Sequence, residues 1–560
     1  MVRSCNSRRM KFRLLFAVGL LALSGFAAEP TPPRLAVVIA IDQFRADYLV
    51  RFQPYFGEGG FKRLLAAGAD FQNCHYRHAT TITAPGHATI LSGVHANIHG
   101  ITANEWLNRD TWEMMSNVED ASAPLVGLDA ANAGPALLAA KAGRSPRNFR
   151  APTVGDQLKL RHGANSKVFS VSNKDRAAIL LGGKLGDGVY WDENGRIVTS
   201  RYYRDALPAW IAAFNAERRV EAKFGATWDR LREPTIYDAV QGPDDAPGEE
   251  TGLGLGRTFP KKVTGGAAKI TSKFYIAFDN SPFSAAFLGE FAERAVREEK
   301  LGHHPATDLL GMDFSQIDVM GHSYGPDSHE MMDSILRLDR VIASLLDCLN
   351  REVGLAKCVI VLTADHGGAP MPERVHALRP SIPAGRFNPG DWDGPGRKAL
   401  DAAFGPLPEG QYWFTRDNAG YHLRSSALAA KNLPADAVAR VLKESLLTAP
   451  FVAPAFTRAE ILAIAPEGES VPAMVRRSYY GPSDRDVVFV VKPYFMNKVP
   501  TGTTYGTPYD YDTHVPQLWF GAGVTPGVHP ERVGVDDIAP TLAGLLGIPS
   551  PPEARGRRLF

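Results

Sequence analysis

The sequence predicts an α/β fold: a mixed, mostly parallel sheet sandwiched by helices, with inserted cap regions. Three observations predict it. Apolar, β-branched runs recur along the chain, each ends in polar residues, and helical patterns separate them. Such runs read as strands buried on both faces, and alternation with helices covers a sheet on both sides. "LAVVIAID" runs into Asp42, and "KVFSVSNKDR" into Lys174 and Arg176. "LLGMDFSQIDVMGH" leads to Asp318 and His322, and "KCVIVLTADHGG" to Asp365 and His366. "DVVFVV" (486–491) and "VPQLWFGAG" (515–523) complete the strand set. The clearest helical pattern is "EMMDSILRLDRVIASLLDCL" at 330–349. Gly/Pro-rich stretches at about 105–165, 185–275 and 370–480 read as insertions forming a cap, so 29–560 is expected to be one domain.

The 560 residues can bury a large core, and 44% hydrophobic with 22% charged residues is an ordinary globular balance. The formal charge of +2 misleads, because residues 1–28 carry five bases (Arg3, Arg8, Arg9, Lys11 and Arg13) and no acid. Without them 57 bases face 60 acids, a net of −3, which gives nucleic acid no electrostatic footing. The same 28 residues read as a secretory signal: a basic start, an apolar stretch at 14–26, then the small residues of "GFAAEP". Thirteen apolar residues are short for a membrane span, so the mature chain is expected to be periplasmic or secreted, with no stable span. Cys5 leaves with the signal. Cys348 and Cys358 flank a short loop and either pair or stay as buried thiols, and Cys74 has no obvious partner.

"TITAPGHATILSG", residues 81–93, puts Thr83 at the cap position of a short helix whose buried face is Ala88, Ile90 and Leu91. Its hydroxyl either caps the helix or acts as a nucleophile where free N–H groups favour an anion. The ends of the strands are rich in Asp and His: Asp42, Asp318, His322, Asp365 and His366, with a late His514 in "YDYDTHVP". Polar strand ends lie where open α/β sheets bind ligands. Three Asp and three His suit two Zn²⁺ ions, since carboxylate and imidazole are both good zinc ligands. Asp318 and His322, four apart across a turn, could reach one ion. Asp365 and His366 could do so if Gly367-Gly368 turns the backbone. His75, His78, His87, His95, His99, His303 and His304 are read as structural.

In order, "AIDQFRADYL", "TAPGHATILSG", "NEW", "SNKDRAAILL", "DVMGHSYGPDSHE", "TADHGG", "DTHVP" and "VDDIAPTLAGLLGIPSPPEARGRRL" resemble the alkaline phosphatase superfamily. Within it the chain resembles the periplasmic, phosphate-irrepressible enzymes with a threonine nucleophile. The resemblance implies that Asp42, Asp365 and His366 hold one zinc, with Thr83 as a further ligand, and that Asp318, His322 and His514 hold a second. It implies that Asn104, Lys174 and Arg176 bind the phosphoryl oxygens. Lys174 and Arg176 lie two apart, so on an extended stretch both face one side. The implied activity is hydrolysis of small-molecule phosphate monoesters by a monomer, through a phospho-threonine intermediate at a two-zinc site. A phosphodiesterase or nucleotide pyrophosphatase on the same scaffold is the nearest alternative, and the two cations argue for the dianionic monoester. A sulfatase would want Cys or Ser with x-P-x-R, where this chain has T-A-P-G-H. From another class, a catalytically silent phosphate-binding protein would keep the metal and lack turnover.

Overall fold

Apolar runs with both faces covered pair best with one another, and they build the centre of an 11-stranded sheet. The computed structural model describes Met1 and residues 32–128, 143–417, 420–481 and 484–560. Apart from Met1, the leader expected at 1–28 lies outside these residues, as does 129–142 of the first inserted stretch. Five parallel strands run side by side in the order Cys358–Thr363, Leu35–Ile41, Asp308–Phe314, Val168–Ser172 and Gly188–Asp192. Every residue of Leu35–Ile41, Asp308–Phe314, Val168–Ser172 and Cys358–Thr363 is buried. The register pairs Ile41 with Phe314, Ala40 with Thr363 and Asp313 with Ser172, so four carboxyl ends come out level.

Antiparallel strands flank this centre, and the sheet is therefore mixed and mostly parallel at its middle, as expected. Gln517–Gly521 pairs antiparallel with Cys358–Thr363, and Ile197–Ser200 with Gly188–Asp192. The latter two fall inside the 185–275 stretch, which thus begins by extending the sheet. "DVVFVV" forms a strand, Val487–Val491, but not in the main sheet. It belongs to a four-stranded sheet with Phe414–Arg416, Gly420–Leu423 and Val452–Thr457. Trp413, Tyr421, Leu442 and Phe451 belong to a core of their own, in which Val487 and Phe489 of that strand are buried.

The expected long helix spans His329–Glu352 and starts where the Ser328 hydroxyl accepts the Met331 N–H at 3.1 Å. Its buried positions Ile335, Leu338, Ile342, Leu345 and Leu349 recur at helical spacing. No helix among the described residues is long and apolar enough to cross a membrane. Cys74, Cys348 and Cys358 are free, buried thiols.

Candidate active site

The level strand ends deliver the acidic and imidazole groups to one place. Asp42 follows Ile41 directly, and Asp365 and His366 follow Thr363 after one residue. Asp318 sits in the first turn of the helix Gln316–Tyr324, and His322, at its i+4 position, one turn further on. The pair therefore shares a helix face, where the sequence suggested a turn. Ligand atoms of Asp42, Asp318 and His366, all three buried, lie within 4.8 Å of one another.

His366 Nδ1 lies 2.7 Å from the Gly367 carbonyl, so that nitrogen carries the proton and Nε2 presents its lone pair. Nε2 faces Asp42 Oδ1 at 3.2 Å and Asp365 Oδ2 at 3.4 Å. In the neutral ring a lone pair directed at two carboxylate oxygens is repulsive, so the geometry calls for positive charge among them, either a bound cation or a proton on Nε2. Asp42 Oδ1, Thr83 Oγ1, Asp365 Oδ2 and His366 Nε2 are all buried and none has a hydrogen-bond partner among the described residues. Left unmet, each such group costs about 1–3 kcal/mol. Two carboxylates, an imidazole and a hydroxyl match the donor chemistry of a zinc ion, so the residues present fit a metal here.

The electrostatics agree. Burial and the neighbouring Asp42 push the Asp365 carboxyl up to about 6. Burial would lower His366, but Asp365 and Asp42 push it up to about 9. Asp42 is held well below the usual carboxylate range, because Lys174 and His366 outweigh its burial. The cluster attracts positive charge strongly.

Thr83 is the first residue of the helix Thr83–Ser92, and extended Ile82 occupies the cap position. The hydroxyl is thus not spent on capping, the first of the two uses open to it in the sequence. Asn104 Oδ1 instead accepts the Ala84 N–H at 2.8 Å. A Cβ on Gly86 would lie 2.1 Å from the Asp365 carbonyl oxygen, so only glycine lets this helix start press against the strand end.

Lys174 and Arg176 do not share an extended stretch. The strand ends at Ser172, Lys174 occupies the cap position, and Arg176 lies in the first turn of the helix Asp175–Gly182. Lys174 Nζ lies 2.5 Å from Asp42 Oδ2 and also bonds Asp318 Oδ2. Arg176 Nε is buried with no hydrogen-bond partner among the described residues. His514 is not brought to the cluster. It lies on the short strand His514–Val515, its Nε2 2.8 Å from the Gln72 carbonyl, and its ring stacks on His75 at 4.6 Å. The place expected for it beside His322 is taken by Tyr505, whose hydroxyl lies 3.1 Å from His322 Nε2.

Residues 36–436 match the type I phosphodiesterase / nucleotide pyrophosphatase family. Alkaline phosphatase PhoV of Synechococcus elongatus is 31% identical to this chain over 95% of it and 94% of the relative. The chain belongs to the alkaline phosphatase superfamily. Alkaline phosphatase PafA of Elizabethkingia meningoseptica is 31% identical over 96% of this chain and 97% of its own. The crystal structure of wild-type PafA matches with a TM-score of 0.85 at 30% identity, covering 94% of this chain and 98% of that one. The alkaline phosphatase fold therefore extends over the inserted stretches as well as the central sheet.

In this superfamily member three further residues support the site; sequence reasoning passed over Gln43 and Tyr505 and left His87 as structural. Gln43 donates its backbone N–H to Asp365 Oδ1 at 3.1 Å and its Nε2 to Asp318 Oδ1 at 3.0 Å. Its φ of +61° is a strained value for a non-glycine residue, held where it orients two carboxylates. His87, read as structural, has Nδ1 2.9 Å from the Thr83 carbonyl and 3.2 Å from Asp365 Oδ2, with Nε2 3.2 Å from Asp313 Oδ1. It ties Thr83 to Asp365. Its position one helical turn after Thr83 was a signal that could have been read. Tyr505 also lies beside Thr83, and its ring centre is 3.7 Å from that of His366. A cavity of about 680 Å³ opens here, lined by Asn104, Arg176, His322 and Tyr505 and, from the inserted stretches, Leu253 and Asp417.

Proposed function

We propose that the chain is an exported, zinc-dependent alkaline phosphatase that hydrolyses phosphate monoesters through a phospho-threonine intermediate. The observation that carries this reading is the buried hydroxyl of Thr83 beside Asp42 Oδ1, Asp365 Oδ2 and His366 Nε2, none with a hydrogen-bond partner among the described residues. Asp42, Asp365 and His366 would hold a zinc ion with Thr83 as a further ligand; bound there, the ion supplies charge that favours the deprotonated hydroxyl. Thr83 Oγ1 attacks phosphorus in line: the Oγ1–P bond forms, the P–O bond to the leaving group breaks, and the departing oxygen leaves as the alcohol. Water then cleaves the phospho-threonine, releasing inorganic phosphate and restoring the hydroxyl.

This chain's own residues position the phosphoryl group. Asn104 spends Oδ1 on the Ala84 N–H, which leaves its amide NH₂ to donate to a phosphoryl oxygen in the cavity it lines. Arg176, with Nε unmet, supplies a charge-assisted donor to the remaining oxygens. Lys174 contributes its charge from between Asp42 and Asp318. The inserted stretches cover the cavity as a cap. The reading needs only a single chain, and the leader at 1–28 would direct it to the periplasm or medium.

The test is kcat/KM for a matched aryl monoester and diester, with and without chelator. We expect the monoester to be preferred, activity to vanish on chelation, and Zn²⁺ to restore it. A diester preference would support a phosphodiesterase or nucleotide pyrophosphatase. Phosphate binding without turnover would leave a silent binding protein.

A further inference from the structure

The donors that the sequence divides between two ions are in two different states. At Asp42 Oδ1, Thr83 Oγ1, Asp365 Oδ2 and His366 Nε2, one donor atom of each residue has no hydrogen-bond partner among the described residues, while Asp42 Oδ2 and Asp365 Oδ1 are bonded by Lys174 and Gln43. Around Asp318 and His322 every ligand atom is met from within the protein. Asp318 Oδ1 accepts from Gln43 Nε2 at 3.0 Å, and Oδ2 accepts from the Lys174 ammonium. His322 Nδ1 lies 2.9 Å from the Thr503 carbonyl, so Nδ1 carries the proton and Nε2 accepts from the Tyr505 hydroxyl at 3.1 Å. A third histidine, His514, faces the Gln72 carbonyl instead.

We infer that the chain holds a single divalent cation, at Asp42, Thr83, Asp365 and His366, and that Tyr505, standing against His322 beside the Lys174–Asp318 pair, closes the second position. The inference deepens the proposed phosphatase reading and rests on it. A second ion at Asp318 and His322 would meet a buried ammonium already bonded to Asp318, and it would have to break the Tyr505–His322 hydrogen bond. Lys174 lies 2.5 Å from Asp42 Oδ2 and also bonds Asp318, so one fixed positive charge spans the space a second ion would neutralise. Tyr505 is wedged by its ring against His366 as well, which holds the phenol in place over His322. A neutral imidazole at position 505 would offer a lone pair where the phenol offers a proton.

The experiment counts metal independently of catalysis. Purified full-length protein is stripped with chelator, reloaded with excess Zn²⁺, freed of unbound ion and assayed for zinc per chain by atomic emission. We expect one zinc in the wild type, one in His322→Ala with an affinity within about threefold of wild type, and two in Tyr505→His. Thermal melts of each variant confirm folding, and His322→Ala, a partly exposed position, keeps the test decisive if Tyr505→His does not fold. Two zinc ions in the wild type overturn the inference. So does loss of zinc in His322→Ala, or a folded Tyr505→His that stays at one. Failure of the phosphatase reading would appear in the turnover assay and leave these counts unchanged.

Discussion

A threonine hydroxyl is a weak nucleophile, and what sets Thr83 apart from its neighbours is that its oxygen is spent on no backbone carbonyl and lies beside Tyr505. Thr89 Oγ1 donates to the Pro85 carbonyl at 2.9 Å, and Thr81 Oγ1 to the Thr507 carbonyl at 2.8 Å, while Thr83 Oγ1 has no hydrogen-bond partner among the described residues. Thr83→Ala should therefore abolish trapping of a phosphoryl group on the protein and lower kcat by several orders of magnitude. Thr83→Ser should keep a substantial part of both. Mass mapping of the trapped group decides it, and a label on Thr81, Thr89 or a serine would end the assignment. Arg176 is the cleaner probe of specificity, since Lys174 also bonds two carboxylates and its loss disturbs the metal donors. A charge-assisted contact contributes about 1.5–3 kcal/mol, so Arg176→Ala should cost about ten- to a hundredfold in monoester kcat/KM. Diester kcat/KM should fall much less. Equal losses on both substrates would remove Arg176 from the specificity account.

Among the elements, the helix Thr83–Ser92 and the segment that follows the strand Cys358–Thr363 meet so closely at Asp365 that a side-chain hydrogen is all that fits. Gly86 is the contact point, and Gly86→Ala should force the Asp365 segment to shift. Overpacking of this kind costs about 1–3 kcal/mol, and displacing a ligand's support lowers metal affinity about ten- to a hundredfold. Denaturant melts and zinc titration of the folded variant measure the two effects separately; a variant with wild-type zinc affinity would show that the close approach does not position Asp365. Element types were legible in the chain because buried parallel strands need unbroken apolar runs, and 35–41, 308–314 and 358–363 have them. Element ends were less legible. "SNKDR" reads as extended, yet the helix starts at Asp175, so Lys174 and Arg176 point by different rules. "DVMGH" reads as a turn, yet helix continues through it, with Gln43 packed where a Cβ on Gly321 would stand.

For the whole molecule, the unmet donors of the site come from segments far apart in sequence, so a bound ion links strands and a helix that unfolding would separate. A cation bound only to the native state stabilises it by about 2.7 kcal/mol at a hundred times its dissociation constant. It also relieves the repulsion between Asp42 and Asp365, both fully buried. Chelation should therefore lower the melting temperature of the whole Pro32–Phe560 unit, and Zn²⁺ should restore it. An unchanged melt in protein shown to be metal-free would argue that the cluster is a proton-sharing network, with His366 charged in place of an ion.

The chain by itself determined the architecture and the chemical inventory at the strand ends. An apolar run that stops in Asp, His or Lys states both that a strand is buried and where it leaves the sheet, and parallel register then gathers those ends. Tertiary structure alone decided which donors meet. Tyr505 and His514 lie in the same short segment, and histidine is the better metal donor by chemistry. The segment passes through the helix Asp510–Thr513 between them, and His514 then pairs on the strand edge opposite His75. That turn sends His514 to the Gln72 carbonyl and leaves Tyr505 against His322, because residue spacing sets how far a side chain can reach while backbone direction sets which way it points.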